Sequence, residues 1–538
     1  MRGGLFGLCL LIASCRVGSG GGGDGVTIME IQGTGARSPL EGEVVMTTGV
    51  VTAVREDGRG FWIQDPRGDD DPETSDGVLV WTELSVVEGD RVRVRGTVAE
   101  FAREGERSTT QIQDIESLEV LSTGNELPGA MALPLLPDVS IPDAIQYWSR
   151  LERMLVSFER ARVVAPTNRF GELVVVLDGQ APDGNHVLLR SLGDDAVDYN
   201  PERIIIDDET RDAIEARAGD AIENFTGVVD YSFGNYKLQP LELSHVEGVR
   251  AEMRPRSTGG VAIASFNVEN LFDNDPDELE VKLAALADYV EDRLLLPEIL
   301  VVQEVENEAV LQRLGDRLNI AAGTHYQAKG LGSSDGRGIE NAFLYDRACV
   351  RLDEAFLLSG PDVEAAFGPN SPSAGREPLV GRFSLGGSEL IVVGNHFKSK
   401  GGDEPIFGAR QPFERPTEVQ RKLQARAVRR YVDELLDHDE RARILVAGDF
   451  NDFPFAEPGE GPDHPLGILE GKDLTNLVGE LPGAYTFIFD GNAQVLDHLL
   501  VSPALGERVL GVEIVHGNAD DPESASDHDT PVVRLQFP

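Results

Sequence analysis

Between Val44 and Leu121 apolar and polar residues alternate, in the runs Val44–Val54, Gly60–Gln64, Val78–Trp81, Asp90–Val98 and Ile112–Leu121, with Gly, Asp and Pro between them. A two-residue period sends successive side chains to opposite faces, so these runs predict strands, and 26–125 shows no helical periodicity. The run Glu88-Gly-Asp-Arg-Val-Arg-Val-Arg-Gly-Thr-Val98 combines a turn, an alternating stretch and a glycine where a barrel strand bends. It recurs about 130 residues later as Ala218-Gly-Asp-Ala-Ile-Glu-Asn-Phe-Thr-Gly-Val-Val229, a period that marks duplicated domains rather than a solenoid. Thr109–Ile112 and Tyr236–Gln239 correspond in the same way.

The pattern thus predicts two small all-β barrels, at 26–125 and 126–250, that resemble the oligonucleotide/oligosaccharide-binding (OB) fold. Their aromatics Phe61, Trp62, Tyr231, Phe233 and Tyr236 either stack bases or form barrel core. Arg250–Gly260, rich in Arg, Pro and Gly, reads as a linker. From Val261 the period changes. Apolar runs at Val261–Phe266, Ile299–Gln303, Ala342–Tyr345, Leu390–Gly394, Ile444–Gly448, Asp497–Val501 and Val532–Leu535 alternate with helical stretches such as Glu278–Leu296 and Thr417–Leu436. Strands with helices between them predict an α/β sandwich over 261–538.

Composition adds the setting. At 538 residues the chain exceeds one core. Met1-Arg2, the apolar run Leu5–Ile12 and Ile12-Ala13-Ser14-Cys15 read as an export signal at 1–14. Cysteine directly after small residues resembles a lipobox, which predicts a lipid on Cys15, a glycine-rich tether at 15–25 and contact with a membrane through that anchor alone. An ordinary cleaved signal is the alternative. With only Cys9, Cys15 and Cys349, no thiolate zinc site can be built. The net charge of -45 opposes general affinity for a polyanion, an objection that weakens at high salt, where the Debye length falls to about 3 Å at 1 M. The main basic island is Lys398, Lys400, Arg410, Arg415, Arg421, Lys422, Arg426, Arg429 and Arg430. It reads either as local basicity for substrate or as the solvated face of a helix whose stripe is Val419, Leu423, Val428 and Val432.

Candidate chemistry gathers after the C-terminal strand runs. Glu269 and Glu304 fall just past strand ends, and oxygen donors without cysteine suit Mg²⁺, Mn²⁺ or Ca²⁺. Asp449 and Asn451, one residue apart in Gly-Asp-Phe-Asn, can face one opening. Asp527-His528 precedes the last strand and Asp497-His498 opens another; a carboxylate beside an imidazole fixes its tautomer and raises its basicity.

The ordered motifs NVENLF, QEVEN, NHFKSK, GDFND, LDHLLVS and SDHD resemble the endonuclease/exonuclease/phosphatase superfamily over 261–538. The resemblance implies a four-layer, deoxyribonuclease-like α/β sandwich and a divalent-metal-dependent nuclease. It places Asn267 and Glu269 in the metal-shell motif, Glu304 as main metal ligand and Asp527 beside the metal. Asp449 would activate water, Asn451 would hold phosphate, and His528, oriented by Asp497, would contact phosphate or act as base. His396 would protonate the leaving oxygen with Glu340 as its paired carboxylate, and Lys398 and Lys400 would bind substrate. Where the deoxyribonuclease branch carries an arginine two residues after the metal glutamate, this chain has Glu306, so groove binding must differ. Exported hydrolysis of DNA, or of RNA, is the implied activity, with a phosphomonoesterase, a phospholipase or an inactive surface binding module as alternatives. Because every catalytic candidate lies after residue 261, the barrels are expected to tune substrate binding rather than chemistry.

Overall fold

The structure is a computed structural model that describes residues 25–136, 139–180, 187–190, 199–248, 259–333, 335–369, 371, 375–457 and 460–537. The expected signal 1–14, Cys15 and all of the tether but residue 25 lie outside the described residues, as do residues 249–258 of the linker region.

Alternation closes the first barrel. Strands β1 (Val44–Val54), β2 (Phe61–Gln64), β3 (Gly77–Val80), β4 (Arg91–Phe101) and β5 (Thr109–Ser122) form a closed ring in the order β1-β2-β3-β5-β4. The β3–β5 pair is parallel, and β4 returns to β1 antiparallel. Alternate residues Val92, Val94 and Val98 of β4 meet Val45, Val51, Phe61 and Ile112 inside. The strand-only reading missed a five-residue helix, α1 (Ile28–Gln32), whose Ile28 and Ile31 enter this core. Thr27 and Glu30 hold its N-terminus in a reciprocal capping box.

The second barrel repeats this topology. After the short β6 (Met131–Ala132) and helix α2 (Ile141–Ser149), strands β7 (Leu155–Ala165), β8 (Leu173–Leu177), β10 (Ile204–Ile206), β11 (Ala221–Ser232) and β12 (Asn235–Val246) close in the order β7-β8-β10-β12-β11. Its third and fifth strands are again the parallel pair. The repeated sequence segment is therefore the fourth strand of each ring. Its glycine sits at a register shift both times: between Arg95 and Thr97, and between Thr226 and Gly227. A Cβ would lie 2.8 Å from Gln113 O at Gly96 and 2.4 Å from Gln239 O at Gly227, so side chains are excluded by the neighbouring strand. Phe61, Trp62, Tyr231 and Tyr236 are buried, which makes them core; among the five aromatics only Phe233 is exposed, at 63%.

From Val261 two six-stranded sheets stack. The first runs β15 (Tyr326–Lys329), β16 (Glu340–Asp346), β14 (Ile299–Val305), β13 (Val261–Leu271), β26 (Thr530–Leu535), β25 (Val509–Val515). The second runs β17 (Arg351–Leu357), β18 (Leu379–Leu385), β19 (Ser388–His396), β20 (Ile444–Asp449), β24 (Asp497–Val501), β21 (Thr475–Asn476). Ile263, Val301 and Phe343 from one meet Phe383, Val392, Leu445 and Leu499 from the other. Helices α3 (Pro276–Asp288) and α4 (Glu308–Ala322) cover the first sheet through Leu283, Leu286, Leu311 and Leu314. Helices α5 (Pro361–Phe367) and α6 (Glu418–His438) cover the second through Val363, Phe367, Val428 and Val432.

The α6 stripe differs from the expected one. Val419 is 65% exposed and Leu423 37%, whereas Arg421 is fully buried at 1%. The cause is electrostatic: Arg421 Nε donates to Asp452 at 2.5 Å, and Arg429 Nη2 donates to Asp433 at 2.6 Å and Asp473 at 2.7 Å. Arg415 meets Glu457, Lys422 meets Glu418 and Arg430 meets Asp362. The basic island is thus neither a free cationic surface nor a plain solvated face, since most of its members neutralise acids of their own domain.

A Gly227→Val substitution should destabilise the second barrel by about 1–3 kcal/mol, the usual cost of overpacking. The expected outcome is a lower midpoint for the barrel transition in thermal unfolding; an unchanged midpoint would show that the β11 bulge relaxes freely.

Candidate active site

Both sheets contribute to one cleft. Parallel pairing of β19 with β20 sets His396 opposite Asp449, and antiparallel pairing of β20 with β24 sets Asp449 opposite Asp497. Asn267 and Glu269 arrive on β13 and Glu304 on β14. They lie within strands rather than beyond them, at places where the ladder breaks. The β13–β14 register shifts between Asn267 and Leu271, and the β14–β16 register between Val302 and Val305. Glu269, Glu304 and Asn451 take left-handed φ values of 51°, 64° and 51°, a conformation unfavourable to side chains with a Cβ and enriched at functional sites.

Asp449 is the centre. It is 2% exposed, and three N–H groups fix its carboxylate. Asn451 N donates to Oδ1 at 2.8 Å, while Asn451 Nδ2 at 3.0 Å and Asn267 Nδ2 at 3.2 Å donate to Oδ2. Burial, followed by the charge of Asp497, raises its pKa to about 7.

Two histidines flank it with proton affinities shifted in opposite directions. His528 Nδ1 meets Asp497 Oδ2 at 2.7 Å. Burial alone would lower its pKa, but the charge and hydrogen bond of Asp497, helped by Asp527 and Asp449, raise it well above the ordinary histidine value. The Phe487 ring lies 4.7 Å from the imidazole. His396 stands 3.7 Å from Asp449 Oδ2 and 3.6 Å from Glu304 Oε1. Arg376 Nη1 lies 3.1 Å from His396 Nε2, and because a guanidinium only donates, Nε2 must be the acceptor of a neutral ring. Burial, then Arg376 and Arg337, pushes the His396 pKa well below its usual value.

The expected Glu340–His396 pair does not form. Glu340 accepts from Gly332 N at 2.5 Å and burial raises its carboxyl, while His396 Nε2 meets Arg376 Nη1 at 3.1 Å. His498 is not in the site either; its ring is buried between Asn476 Nδ2 and Asp452 O, each at 3.0 Å. Lys398 Nζ donates to Ser399 O at 3.2 Å and to Gly401 O at 2.9 Å, and Lys400 Nζ donates to Asn451 O at 2.6 Å. Both lysines are committed to backbone oxygens, and burial lowers Lys400 to about 8.

Among the described residues no group of three or more His, Cys, Asp and Glu is arranged to hold a metal ion. The three expected ligands nonetheless lie near enough for their charges to interact. Loss of hydration, followed by the charges of Glu269 and Glu304, raises Asp527 to about 6, although its side chain keeps 49% exposure. Lys282 Nζ neutralises Glu269 at 3.3 Å and Arg337 Nη2 neutralises Glu304 at 3.0 Å. Arg376, Arg337, Lys282 and Phe487 are the members that sequence reasoning missed. Arg376 and Arg337 come from loops, Lys282 from α3 and Phe487 from a three-residue strand, none of which carries a motif, and Arg376 is held by its bonds from Nε to Asp335 Oδ2 at 2.8 Å and from Nη1 to Phe397 O at 3.3 Å.

Residues 278–517 match the family described as the Endonuclease/Exonuclease/phosphatase family, and residues 138–248 match a domain of unknown function (DUF8508). No curated protein matches the chain. Among solved structures, D. rerio TDP2 complexed with a single strand DNA product is 16% identical, over 52% of this chain and 100% of that one, with a TM-score of 0.37. An endonuclease/exonuclease/phosphatase family protein from Bacteroides thetaiotaomicron is 20% identical, over 53% of this chain and 100% of that one, also at 0.37. The human Nocturnin catalytic domain with bound sulfate is 14% identical, over 52% and 95%, at 0.35.

In metal-free protein, NMR titration should show His528 losing its proton above, and His396 below, the ordinary histidine value of about 6.5. Asp497→Asn should lower the His528 value by at least about one unit. The sign for stability follows: with its folded value raised, the His528–Asp497 contribution is full below about pH 6.5 and is lost as pH rises through the folded value. Two histidines titrating together near pH 6.5 would contradict the geometry.

Proposed function

We propose that this chain, whose C-terminal domain is of the endonuclease/exonuclease/phosphatase family, is an exported, divalent-metal-dependent phosphodiesterase that cleaves nucleic acid internally, with DNA as its substrate. The observation that carries the reading is Asp449, buried and held by three N–H donors, with His528 bonded to Asp497 on one side and His396 against Arg376 on the other, an arrangement that raises Asp449 and His528 and lowers His396. Groups whose environments push their pKa values apart divide acid from base work.

Asp449, oriented by Asn267 and Asn451, accepts the proton of the attacking water. His528, kept cationic by Asp497, faces the charge that develops on phosphate oxygens and has a proton to give. His396 in its neutral form holds a lone pair at Nε2 against Arg376, whose fixed charge favours a phosphate on that wall. The assignment exchanges the charge states that motif order alone implies for the two histidines.

Glu304, Glu269 and Asp527 fit a hard cation. They are oxygen donors crowded enough to raise Asp527, and two of them are neutralised here by Lys282 and Arg337. A bound Mg²⁺ or Mn²⁺ would supply charge neutralisation on the phosphate and a more acidic water. Export rests on Met1-Arg2, Leu5–Ile12 and Cys15.

Purified protein incubated with circular DNA, linear DNA, RNA and nucleotide monoesters, with and without EDTA, tests the reading. Nicking of circular DNA that EDTA stops is expected; turnover of monoesters alone would refute it. His528→Ala should lower kcat by about 10²–10⁴, and His396→Ala, which removes the acceptor facing Arg376 Nη1, should lower it less. Glu304→Gln should weaken Mg²⁺ binding in calorimetry with the fold intact, and wild-type affinity would remove Glu304 from the ligand set.

A further inference from the structure

The barrels do not hang beside the catalytic domain; the second one reaches both walls of the active site. On one wall, β22 (Phe487–Phe489) and β23 (Asn492–Gln494) form a hairpin that carries Phe487 against the His528 ring and runs on into Asp497. The third strand of that small sheet belongs to the barrel: β9 (Leu188–Leu189) pairs with Asn492 and Ala493, and Arg190 N donates to Ala493 O at 2.8 Å. Asn200 Nδ2 donates to Asn492 Oδ1 at 2.9 Å, and Asn235 Nδ2 to Asp490 Oδ2 at 2.9 Å, both from the barrel side. The hairpin turn is pressed onto the barrel so closely that a Cβ at Gly491 would lie 2.6 Å from Val174 Cγ1.

On the other wall the Arg190 guanidinium joins Arg415 on the buried Glu457 and lies 4.7 Å from the Phe453 ring centroid. Lys400 Nζ lies 4.0 Å from the same ring centroid and donates to Asn451 O at 2.6 Å. Asn451 is the left-handed residue that holds Asp449, so the barrel's cation buttresses the support of a strained catalytic backbone. The loop between Lys400 and Thr417 also inserts Phe407 into the barrel core, where Tyr231 Oη donates to Phe407 O at 3.0 Å.

We propose that the second barrel is a positioning domain for the catalytic centre, with Arg190 and the β9–β23 pairing as its contact points, rather than only a substrate-binding module. The claim rests on the phosphodiesterase reading and goes beyond it, since it assigns a task to the domain at 138–248. It also reverses the expectation that 261–538 is catalytically self-sufficient.

The test uses the full chain and bis(4-nitrophenyl) phosphate, a diester too small to touch the barrel and the site at once. Arg190→Met should lower kcat at least about 10-fold with KM within about twofold, because misplacement of reacting groups by about an ångström costs rate rather than affinity. Arg190→Lys, which keeps a cation over Phe453, should recover part of it. Gly491→Val should push the hairpin off Val174 and shift the His528 imidazole proton resonances, which sense the Phe487 ring. Wild-type kcat in Arg190→Met, or loss confined to KM on long DNA, overturns the proposal, as does an unmoved His528 spectrum in Gly491→Val. Should the wild type hydrolyse no diester, the phosphodiesterase reading fails, while the His528 spectrum still decides the positioning claim.

Discussion

A carboxylate buried at the seam of two sheets organises this molecule. Removing Asp449 from water costs far more than one hydrogen bond returns, so its neighbours are constrained by type and place. Three N–H groups hold its oxygens, Asp497 pushes its proton affinity up, and His528 compensates the pair with a positive charge. Asn451 accepts a left-handed backbone to reach it, and β13 and β14 break register where Glu269 and Glu304 turn toward the same cleft.

Strain of this kind persists only where surrounding structure over-determines it. That is the physical reason for a barrel grafted onto both walls. Backbone pairing through β9 and a buried guanidinium on Glu457 are rigid, short-range constraints, unlike the mobile contacts of a tethered binding module. Topological repetition of the two barrels did not bring equivalent roles: only the second supplies strand pairing to the catalytic hairpin.

Charge is disposed on the same principle. In a chain of net charge -45, each base is surrounded by acids, so the cations of α6 are drawn into internal pairs such as Arg421–Asp452 and Arg429–Asp473. The cations beside Asp449 and Glu304 are paired in the same way, His528 with Asp497, Arg376 with Asp335 and Arg337 with Glu304.

By itself the sequence determined the strands, because a period of two is a local property of the chain: Val44–Val54 and Asp497–Val501 have the same bounds in the structure as in the alternation. It likewise determined the duplication, since the repeated fourth strand keeps its glycine at the same bulge, and the set of Asp449, Asn451, His396, His528 and Asp497, whose motifs stand at strand ends. Only the tertiary structure decided their partners. That His396 faces Arg376, that Lys400 donates to Asn451 O, and that Arg421 is core are all through-space facts between residues without a shared period. The same holds for the barrel's place at the active site, which depends on a two-residue strand too short to leave a periodic signal.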